Sequence, residues 1–199
     1  LSSDGTYYFV SKGTCTDTEV VIPETYEGIP VKMIAANGFS GYTTLASFTI
    51  PSSIINIASY AFRNCNSLEN VYYAGTIEEW LNISFESSLS NPMSYASNFY
   101  MLNQNGEWYI PSSITIPSSV TSIGDYAFYN CTSLTSIEIP KSVTSIGHYV
   151  FRNCTSLTSI EIPNSVTSIG TYAFYNCISL ESIIIPFVGA TLDGTFDTL

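Results

Sequence analysis

Three consecutive segments in the second half of the chain are almost identical. Residues 116–138 read IPSSVTSIGDYAFYNCTSLTSIE, residues 139–161 read IPKSVTSIGHYVFRNCTSLTSIE, and residues 162–184 read IPNSVTSIGTYAFYNCISLESII. They align without a gap, so the repeat is 23 residues long. A period of about 20–50 residues is typical of proteins built from stacked repeat units. The sequence therefore predicts a solenoid.

The same period extends towards the start of the chain in degenerate copies. One copy begins at Pro51, and an earlier one contains Phe39 and Leu45. The spacing of 23 is kept by Cys131, Cys154 and Cys177, by Leu134, Leu157 and Leu180, and by Phe128, Phe151 and Phe174. Phe39 and Phe62 are also 23 positions apart, and Cys65 follows Phe62 as Cys131 follows Phe128. Because one coil cannot bury its own apolar face, we expect such residues to stack in columns between coils. The phenylalanines should then form one buried spine.

Each 23-residue unit contains two short apolar segments separated by turn signals. The segment Leu134–Pro140 alternates inward and outward residues and predicts a short strand ended by its proline. Val143 and Ile146 form a second inward pair. A glycine that permits a tight turn follows at Gly124, Gly147 and Gly170. The Tyr-x-Phe-x-Asn-Cys segment after it predicts a compact helical turn that returns the chain.

These columns resemble the BspA-like leucine-rich-repeat family of bacterial and protozoan surface proteins. The family pattern, Leu-x-x-Ile-x-Ile-Pro-x-x-Val-x-x-Ile-Gly-x-x-Ala-Phe-x-x-Cys, is matched most fully from Ile116 to Ile185 and more weakly from Val20 to Tyr73. The resemblance implies a leucine-rich-repeat solenoid. Such a solenoid is a curved right-handed coil with a parallel β-sheet on its concave side and short strands, turns or helical turns on its convex side. The resemblance also implies export, surface display and partner binding, and it supplies no catalytic residues.

One solenoid domain is predicted over residues 1–199. Its predicted parts are an N-terminal cap with the first strand (1–22), degenerate repeats (23–73), an enlarged coil (74–112) and regular repeats (113–199). Because the chain begins at Leu1 rather than a methionine and stops at Leu199 without an obvious polar cap, we expect it to be trimmed at both ends.

Residues 74–112 interrupt the period and carry their own signals. Thr76 and Glu79 form a capping-box pattern, which predicts a short helix over residues 77–83. Residues 98–102 and 107–110 flank Asn-Gln-Asn-Gly, which predicts a hairpin. The aromatic residues of this insert either plug an enlarged coil or face a ligand, because insertions in repeat proteins often lie on the binding face.

The charge of the chain argues against two classes of partner. Five basic residues stand against 16 acidic ones, which gives a formal net charge of −11, and the basic residues are spread along the chain. Nucleic acid and anionic membrane surfaces, which require clustered Lys and Arg, are therefore not expected partners. No segment approaches the roughly 20 apolar residues that span a bilayer, so membrane insertion of this segment is not expected.

The five cysteines allow three interpretations. Four of them share one inward-facing column, where a free thiol behaves as a small hydrophobic side chain. Stacking alone would also bring neighbouring cysteines within disulfide range, with Cα atoms about 5 Å apart. The close spacing of cysteines that is usual in zinc sites does not occur. We expect a buried ladder of thiols and a more exposed Cys15 outside the repeats.

Two pairs of polar residues suggest catalytic or metal chemistry. His148 shares a column with Asp125, but a catalytic triad also needs a uniquely placed serine and an oxyanion hole, and the nearby serines are repeated structural residues. Glu138 and Glu161 should point outward from adjacent strands, where they are either solvated or hold a divalent cation weakly. We expect an exposed Asp–His pair, solvated glutamates, no metal, no cofactor and no enzymatic activity.

The column after the phenylalanines alternates basic and aromatic residues. Its members are Arg63, Tyr129, Arg152 and Tyr175. Stacked guanidinium groups and rings should make cation–π contacts worth about 0.5–1 kcal/mol each at an exposed site. The column either stabilises neighbouring coils or forms a binding stripe, because Tyr and Arg are enriched at interaction hot spots.

Together with the resemblance, which implies a secreted or cell-surface location, these features favour a module, expected to be monomeric, that binds an extracellular protein or glycan through its concave face. The candidate binding residues on this face and in the insert are Asn70, Tyr72, Trp80, Tyr95, Trp108, Ser136, Glu138, Ser159, Glu161 and Ser182. The alternative is a structural spacer within a longer surface protein. A binding module should gather Trp80, Tyr95 and Trp108 in one exposed patch, whereas a spacer should scatter them.

Overall fold

The structure, a computed structural model, describes residues 1–186. Residues 187–199, the last part of the predicted C-terminal repeats, lie outside the described residues. The chain divides into two compact units, Leu1–Ile110 (unit 1) and Pro111–Leu199 (unit 2). Within residues 1–186, the helices are too short or too polar to cross a membrane.

Unit 1 consists of short strands joined by turns, with one short α-helix. The strands are β1 (Tyr8–Val10), β2 (Glu19–Val21), β3 (Thr25–Tyr26), β4 (Ile29–Ile34), β5 (Ser47–Ile50), β6 (Asn56–Ile57), β7 (Asn70–Tyr73), β8 (Ser84–Phe85), β9 (Asn98–Leu102) and β10 (Trp108–Tyr109). The helix is α1 (Ile77–Leu81), and a 3-10 turn spans Pro92–Ser94.

Two sheets run through unit 1. The first, which we call the main sheet, has the strand order β10-β9-β7-β5-β2, and its pairs are parallel except for the β9–β10 hairpin. The second has the order β1-β4-β6-β8 with parallel pairs, and β3 adds to β4 in the antiparallel sense. Paired strands come from successive coils, which is why a parallel ladder can form without long crossover helices.

The register of the main sheet shows where unit 1 departs from the 23-residue period. Ser47 on β5 pairs with Asn70 on β7, 23 positions later, as in a regular repeat. Two other intervals are longer, because Glu19 on β2 pairs with Ser47 and Asn70 pairs with Asn98 on β9, each 28 positions later. The additional residues of the second of these intervals lie in the segment that contains α1 and the 3-10 turn.

The local signals in residues 74–112 form as predicted. Thr76 Oγ1 accepts a hydrogen bond from the Glu79 backbone N–H at 3.2 Å, and Glu79 Oε2 accepts one from the Thr76 N–H at 2.8 Å, so the capping box is confirmed. The helix ends at Leu81, two residues before its predicted end. The hairpin is also confirmed, with Trp108 opposite Leu102.

Unit 2 repeats one coil three times with a constant register. Its strands are β11 (Ser113–Thr115), β12 (Ser122–Ile123), β13 (Ser136–Glu138), β14 (Ser145–Ile146), β15 (Ser159–Glu161), β16 (Ser168–Ile169) and β17 (Ser182–Ile184). The parallel pairs β11–β13, β12–β14, β14–β16 and β15–β17 each join residues 23 positions apart. The predicted strand at Ile137 and the predicted inward pair Val143 and Ile146 are therefore confirmed, and all three side chains are buried.

Stacked phenylalanines occupy the core of each unit. Phe39 and Phe62 stack in unit 1, with ring centroids 5.8 Å apart and an interplanar angle of 10°. In unit 2, Phe151 stacks between Phe128 at 5.6 Å and Phe174 at 5.4 Å. All five side chains are buried. The predicted spine is thus present within each unit.

The corner of each repeat differs from the helical turn predicted for it. Tyr149 and Asn153 adopt left-handed backbone conformations, with φ of 58° and 62°, and the equivalent residues of the other coils do the same. Backbone hydrogen bonds here join residues three apart, as from Arg152 N–H to Tyr149 O. The helical prediction is wrong because two left-handed residues in so short a segment cannot belong to a right-handed helix.

The glycines repeated in each coil are required for a reason other than the predicted tight turn. Gly147 and Gly170 are outside the left-handed region, so conformational freedom is not what requires them. A Cβ at Gly170 would lie 2.4 Å from the Gly147 carbonyl carbon and from the His148 backbone nitrogen. The glycine is needed because backbones of neighbouring coils touch at this point.

The cysteines of the repeat column form the expected ladder of buried thiols. Cys65, Cys154 and Cys177 donate S–H hydrogen bonds to the carbonyls of Phe39, Phe128 and Phe151, at 3.2, 3.2 and 3.1 Å. All five cysteines of the chain are free. Burial raises the pKa of the Cys131 thiol to about 12 and that of the Cys65 and Cys177 thiols to about 11.

We expect a thiol reagent such as DTNB to modify one cysteine per native chain rapidly at pH 8. Cys15 is partly exposed, whereas the four repeat cysteines are buried and their high pKa leaves little reactive thiolate. Counting released thionitrobenzoate over time measures the fast fraction. Cys15→Ser should abolish the fast phase, and full reaction should require denaturant. Rapid labelling of two or more thiols in native Cys15→Ser would contradict the buried ladder.

Candidate binding surface

The main sheet of unit 1 presents a face of polar and aromatic side chains. In β7, Val71 and Tyr73 are buried while Asn70 and Tyr72 point outward, and β9 repeats this alternation. Register therefore builds two rows across the sheet. The first row is Glu19, Ser47, Asn70 and Asn98, and the second is Val21, Thr49, Tyr72 and Tyr100.

Three aromatic rings and two amides cluster on this face. The Tyr72 and Tyr100 rings stack with centroids 4.6 Å apart and an interplanar angle of 14°. Trp108 meets Tyr72 at 5.1 Å and 71°, and its side chain is 41% exposed. Asn98 Nδ2 donates a hydrogen bond to Asn70 Oδ1 at 2.9 Å. We call these five residues the aromatic–amide patch.

The electrostatic surroundings of the patch are acidic. Burial raises the pKa of the Tyr72 hydroxyl, and the Tyr100 hydroxyl and the Glu19 carboxylate raise it further. The three basic residues of unit 1 lie elsewhere, since Lys12 sits over the Tyr42 ring, Arg63 faces Tyr60, and Lys32 is on β4 of the second sheet. The patch thus offers neutral hydrogen-bonding groups beside a negative charge.

Two candidate residues do not belong to this patch. Trp80 is fully buried and packs against Tyr73, Phe85 and Phe99, so the expectation that it contacts a ligand is corrected. Its position on the inner side of α1 places it in the core. Tyr95 is partly exposed, but its hydroxyl accepts a hydrogen bond from the Asn64 backbone N–H at 2.8 Å, at a corner of the neighbouring coil.

Two residues of the patch were not among the sequence candidates. Asn98 and Tyr100 stand beside Asn70 and Tyr72 in the register. A signal for them exists, because residues 70–72 read Asn-Val-Tyr and residues 98–100 read Asn-Phe-Tyr. This repetition was hidden by its spacing of 28 rather than 23 positions.

The candidate residues of unit 2 lie along its short strands. Ser136, Glu138, Ser159 and Glu161 line one cleft of about 510 Å³, which Lys141 also lines, and Ser182 pairs with Ser159 in the register. Both glutamates are exposed, and Glu138 accepts a hydrogen bond from Thr115 Oγ1 at 3.4 Å. Within residues 1–186, no three His, Cys, Asp or Glu side chains are grouped as a metal site requires.

Asp125 and His148 are exposed neighbours, but they do not form a catalytic pair. Asp125 Oδ1 accepts a hydrogen bond from the His148 backbone N–H at 2.7 Å. His148 Nδ1 accepts one from the Thr171 backbone N–H at 2.9 Å. The carboxylate therefore does not orient the imidazole, as a triad would require. Each side chain instead satisfies a backbone donor of the next coil.

A second aromatic array lies at the corners of unit 2. Tyr126, Tyr149 and Tyr172 stack at 5.3 and 5.4 Å. The Arg152 guanidinium carbon lies 5.0 Å from the Tyr175 ring centroid, 5.6 Å from that of Tyr149 and 5.8 Å from that of Tyr129. The predicted cation–π contacts are thus present around Arg152. Its Nε is buried without a hydrogen-bond acceptor among the described residues, and the three rings surround the guanidinium group.

We expect Arg152→Met to lower the free energy of unfolding by about 1 kcal/mol. The substitution removes the guanidinium group and its contacts with three aromatic rings, while methionine keeps an apolar stem similar to that of arginine. Urea unfolding followed by circular dichroism measures the change. Arg63→Met is the matched control, since Arg63 is exposed and faces one ring at 5.9 Å, and its cost should stay below about 0.5 kcal/mol. Equal costs for the two variants would show that the three-ring arrangement contributes nothing.

Comparison with known families accounts for the periodic architecture. A sequence model described as "BspA type Leucine rich repeat region" matches residues 5–105 and 110–193 in six copies. The chain belongs to the BspA-type leucine-rich-repeat family. The parallel strands and stacked phenylalanines of both units agree with this fold. The match covers Asn70, Tyr72, Asn98 and Tyr100 of the patch and the regular repeats of unit 2, while Trp108 lies in the gap between the two matched ranges.

Solved structures similar to this BspA-type chain include two bacterial leucine-rich-repeat proteins. A leucine rich cell surface protein from Faecalibacterium prausnitzii is 28% identical, with a TM-score of 0.55 over 92% of this chain and 51% of that one. A leucine-rich repeat protein from Bacteroides ovatus is 27% identical, with a TM-score of 0.50 over 84% of this chain and 45% of that one. The chain therefore spans about half the length of these two relatives. No curated protein matches.

Proposed function

We propose that this chain is a bacterial cell-surface binding module that recognises an extracellular protein or glycan through the outward face of its main sheet. The observation that carries the proposal is the aromatic–amide patch, where Tyr72 and Trp108 lie together on an exposed face. Exposed clusters of Tyr and Trp are typical of interaction sites, because these side chains combine apolar area with a polar group. The surface location rests on the Faecalibacterium relative, which is described as a cell surface protein.

The proposal includes a curved right-handed solenoid with the main sheet on its concave side, residues 1–22 as a cap and residues 74–112 as an enlarged coil. Parallel strands paired at intervals of 23 residues support the repeated coil. The 28-residue interval from Asn70 to Asn98 supports the enlargement. The pairing of β1 with β4 supports a strand added before the first repeat.

Unit 2 favours a supporting role over a second recognition site. Its strands pair serine with serine in register, and its corner tyrosine rings stack on one another. Such repetition is what a spacer requires. We propose that unit 2 displays unit 1, and we assign no catalytic activity to either unit, because like residues in rows do not provide the unlike groups that a reaction needs.

Binding assays with face-specific variants test this proposal. The 1–199 chain is immobilised and exposed to extracellular matrix proteins and to a glycan array, and each partner found is then measured by biolayer interferometry. Tyr72→Ala together with Trp108→Ala should weaken binding at least tenfold. The control is Tyr109→Ala, since Tyr109 is 43% exposed on the same strand as Trp108 but points to the opposite side of the sheet. If the double variant binds a partner as well as Tyr109→Ala does, the binding site lies elsewhere.

A further inference from the structure

We infer that the ligand of the aromatic–amide patch is a neutral glycan, whose sugar ring packs on Trp108 while its hydroxyls bind the Asn70 and Asn98 amides. This inference deepens the proposed function and rests on it. The orientation of the Trp108 ring, the Asn70 and Asn98 amides and the local charge favour a glycan over a protein.

The orientation of Trp108 leaves a flat apolar surface open to solvent. Tyr100 covers one face of the Tyr72 ring, and Trp108 approaches from β10, on the same side of Tyr72 as Tyr100. The indole plane lies 71° from the Tyr72 ring, so the two rings make an edge-to-face contact rather than a stack. The 41% exposure of Trp108 shows that much of the indole is open to solvent.

A free aromatic face suits the apolar side of a sugar. Pyranose rings carry C–H groups on their faces, and these gain dispersion contacts with an aromatic plane, whose negative face also attracts the slightly positive hydrogens. The contact with Tyr72, which is itself stacked on Tyr100, restrains the indole, so little side-chain entropy is lost when the ligand binds.

The amide pair supplies the hydrogen bonds that a sugar needs. Because Asn98 Nδ2 donates to Asn70 Oδ1, the two amides are fixed relative to each other. That bond leaves Asn70 Nδ2 and Asn98 Oδ1, which make no hydrogen bond within the described part of the chain. A donor and an acceptor are thus presented side by side, and sugar hydroxyls can both donate and accept.

The charge around the patch selects among glycans. Glu19 and Asn70 stand in the same row of the main sheet, with Ser47 between them, and the whole chain carries a net charge of −11. Sialylated, sulfated or uronic acid sugars would meet repulsion without a compensating Lys or Arg in the patch. The same acidic surroundings do not disfavour neutral hexoses or N-acetylhexosamines.

The test uses an array of neutral, sialylated and sulfated glycans with the 1–199 chain. We expect neutral glycans to be bound and the acidic ones to be weaker or silent. For the best neutral ligand, Trp108→Ala should raise Kd at least tenfold and Asn70→Ala severalfold, whereas Tyr109→Ala should leave it unchanged. Near-native circular dichroism of each variant shows that the fold is kept.

Tryptophan fluorescence adds a direct readout. The chain has two tryptophans, and of these Trp80 is buried while Trp108 is exposed. Acrylamide should therefore quench mainly Trp108, and the bound glycan should protect it. The fraction of fluorescence that acrylamide can quench should disappear in Trp108→Phe. This variant keeps an aromatic ring and should retain part of the affinity for the glycan.

The possible outcomes separate this inference from the proposed function. Binding of acidic glycans alone, or neutral binding that survives Trp108→Ala, overturns the inference. Binding of proteins but no glycans, with loss in Trp108→Ala, overturns the glycan assignment and leaves the proposed binding face intact. If neither proteins nor glycans bind a well-folded sample, both proposals fail.

Discussion

Replacing Phe151 with alanine is expected to lower the free energy of unfolding by about 3–5 kcal/mol. Phe151 is fully buried and stacks between the rings of Phe128 and Phe174, 5.6 and 5.4 Å away. Its removal therefore opens a cavity in contact with both neighbouring coils. In a repeat protein most stability comes from such contacts between neighbours, so the defect cannot be confined to one coil.

Urea unfolding followed by far-ultraviolet circular dichroism measures the loss, because unit 2 contains no tryptophan to report on it. Ile178→Ala is the control in the same unit. Its side chain is 75% exposed, so a change within about 0.5 kcal/mol is expected. A cost below about 1 kcal/mol for Phe151→Ala would mean that the stacked rings do not hold the coils together.

Gly170→Ala is expected to destabilise the chain by about 3 kcal/mol, although it adds a single methyl group. The new Cβ would lie 2.4 Å from the Gly147 carbonyl carbon and 2.5 Å from the Gly147 oxygen. These are backbone atoms of the preceding coil, and they cannot move aside as a flexible side chain can. The coils must separate locally, which weakens the hydrogen bond from Gly170 N–H to Ile146 O.

The control for this variant is Gly106→Ala in the β9–β10 hairpin. Gly106 has a φ of +78°, but a Cβ there would meet no atom within 4 Å. Its cost should reflect backbone strain alone, about 1 kcal/mol. Thermal unfolding of both variants, analysed against the parent chain, compares the two effects. Gly170→Ala should be clearly the more damaging, and a smaller loss than in Gly106→Ala would rule out tight backbone contact between coils.

The periodic part of the structure could be predicted in detail from the sequence. The prediction was correct for the strands at Ile137 and Ile146, the stacked Phe128 and Phe151, and the buried Cys154. Equivalent residues of successive repeats have the same structural environment, so one repeat predicts the next. The capping box at Thr76 and the hairpin at Gly106 were also predictable, since both depend on residues close in sequence.

The corners were less predictable. The segment from Tyr149 to Asn153 contains residues that tolerate a helix, but the chain must reverse within a few residues to begin the next strand. Left-handed conformations at both positions achieve this reversal, and the stacking of Tyr149 on Tyr126 and Tyr172 offsets the strain. Such a balance between local strain and contacts with other coils cannot be seen within one repeat.

The candidate site was predicted in part. Asn70, Tyr72 and Trp108 do share an exposed face, while Trp80 is in the core. A tryptophan on a short helix can turn to either side with equal local propensity. Burial of its large apolar surface against Tyr73 and Phe99 decides the direction, and that contact depends on strands that the sequence does not align.

The repeat period by itself determined the family, the column order and the buried spine of each unit, because stacking equivalent residues is the way in which short coils bury their apolar faces. The tertiary structure alone decided which aromatic residues of the insert reach the surface. A 28-residue interval brings Asn98 and Tyr100 beside Asn70 and Tyr72, and the returning hairpin then places Trp108 against Tyr72. These contacts join strands whose separation in sequence differs from the 23-residue repeat, so they follow from the strand register and not from the repeated sequence.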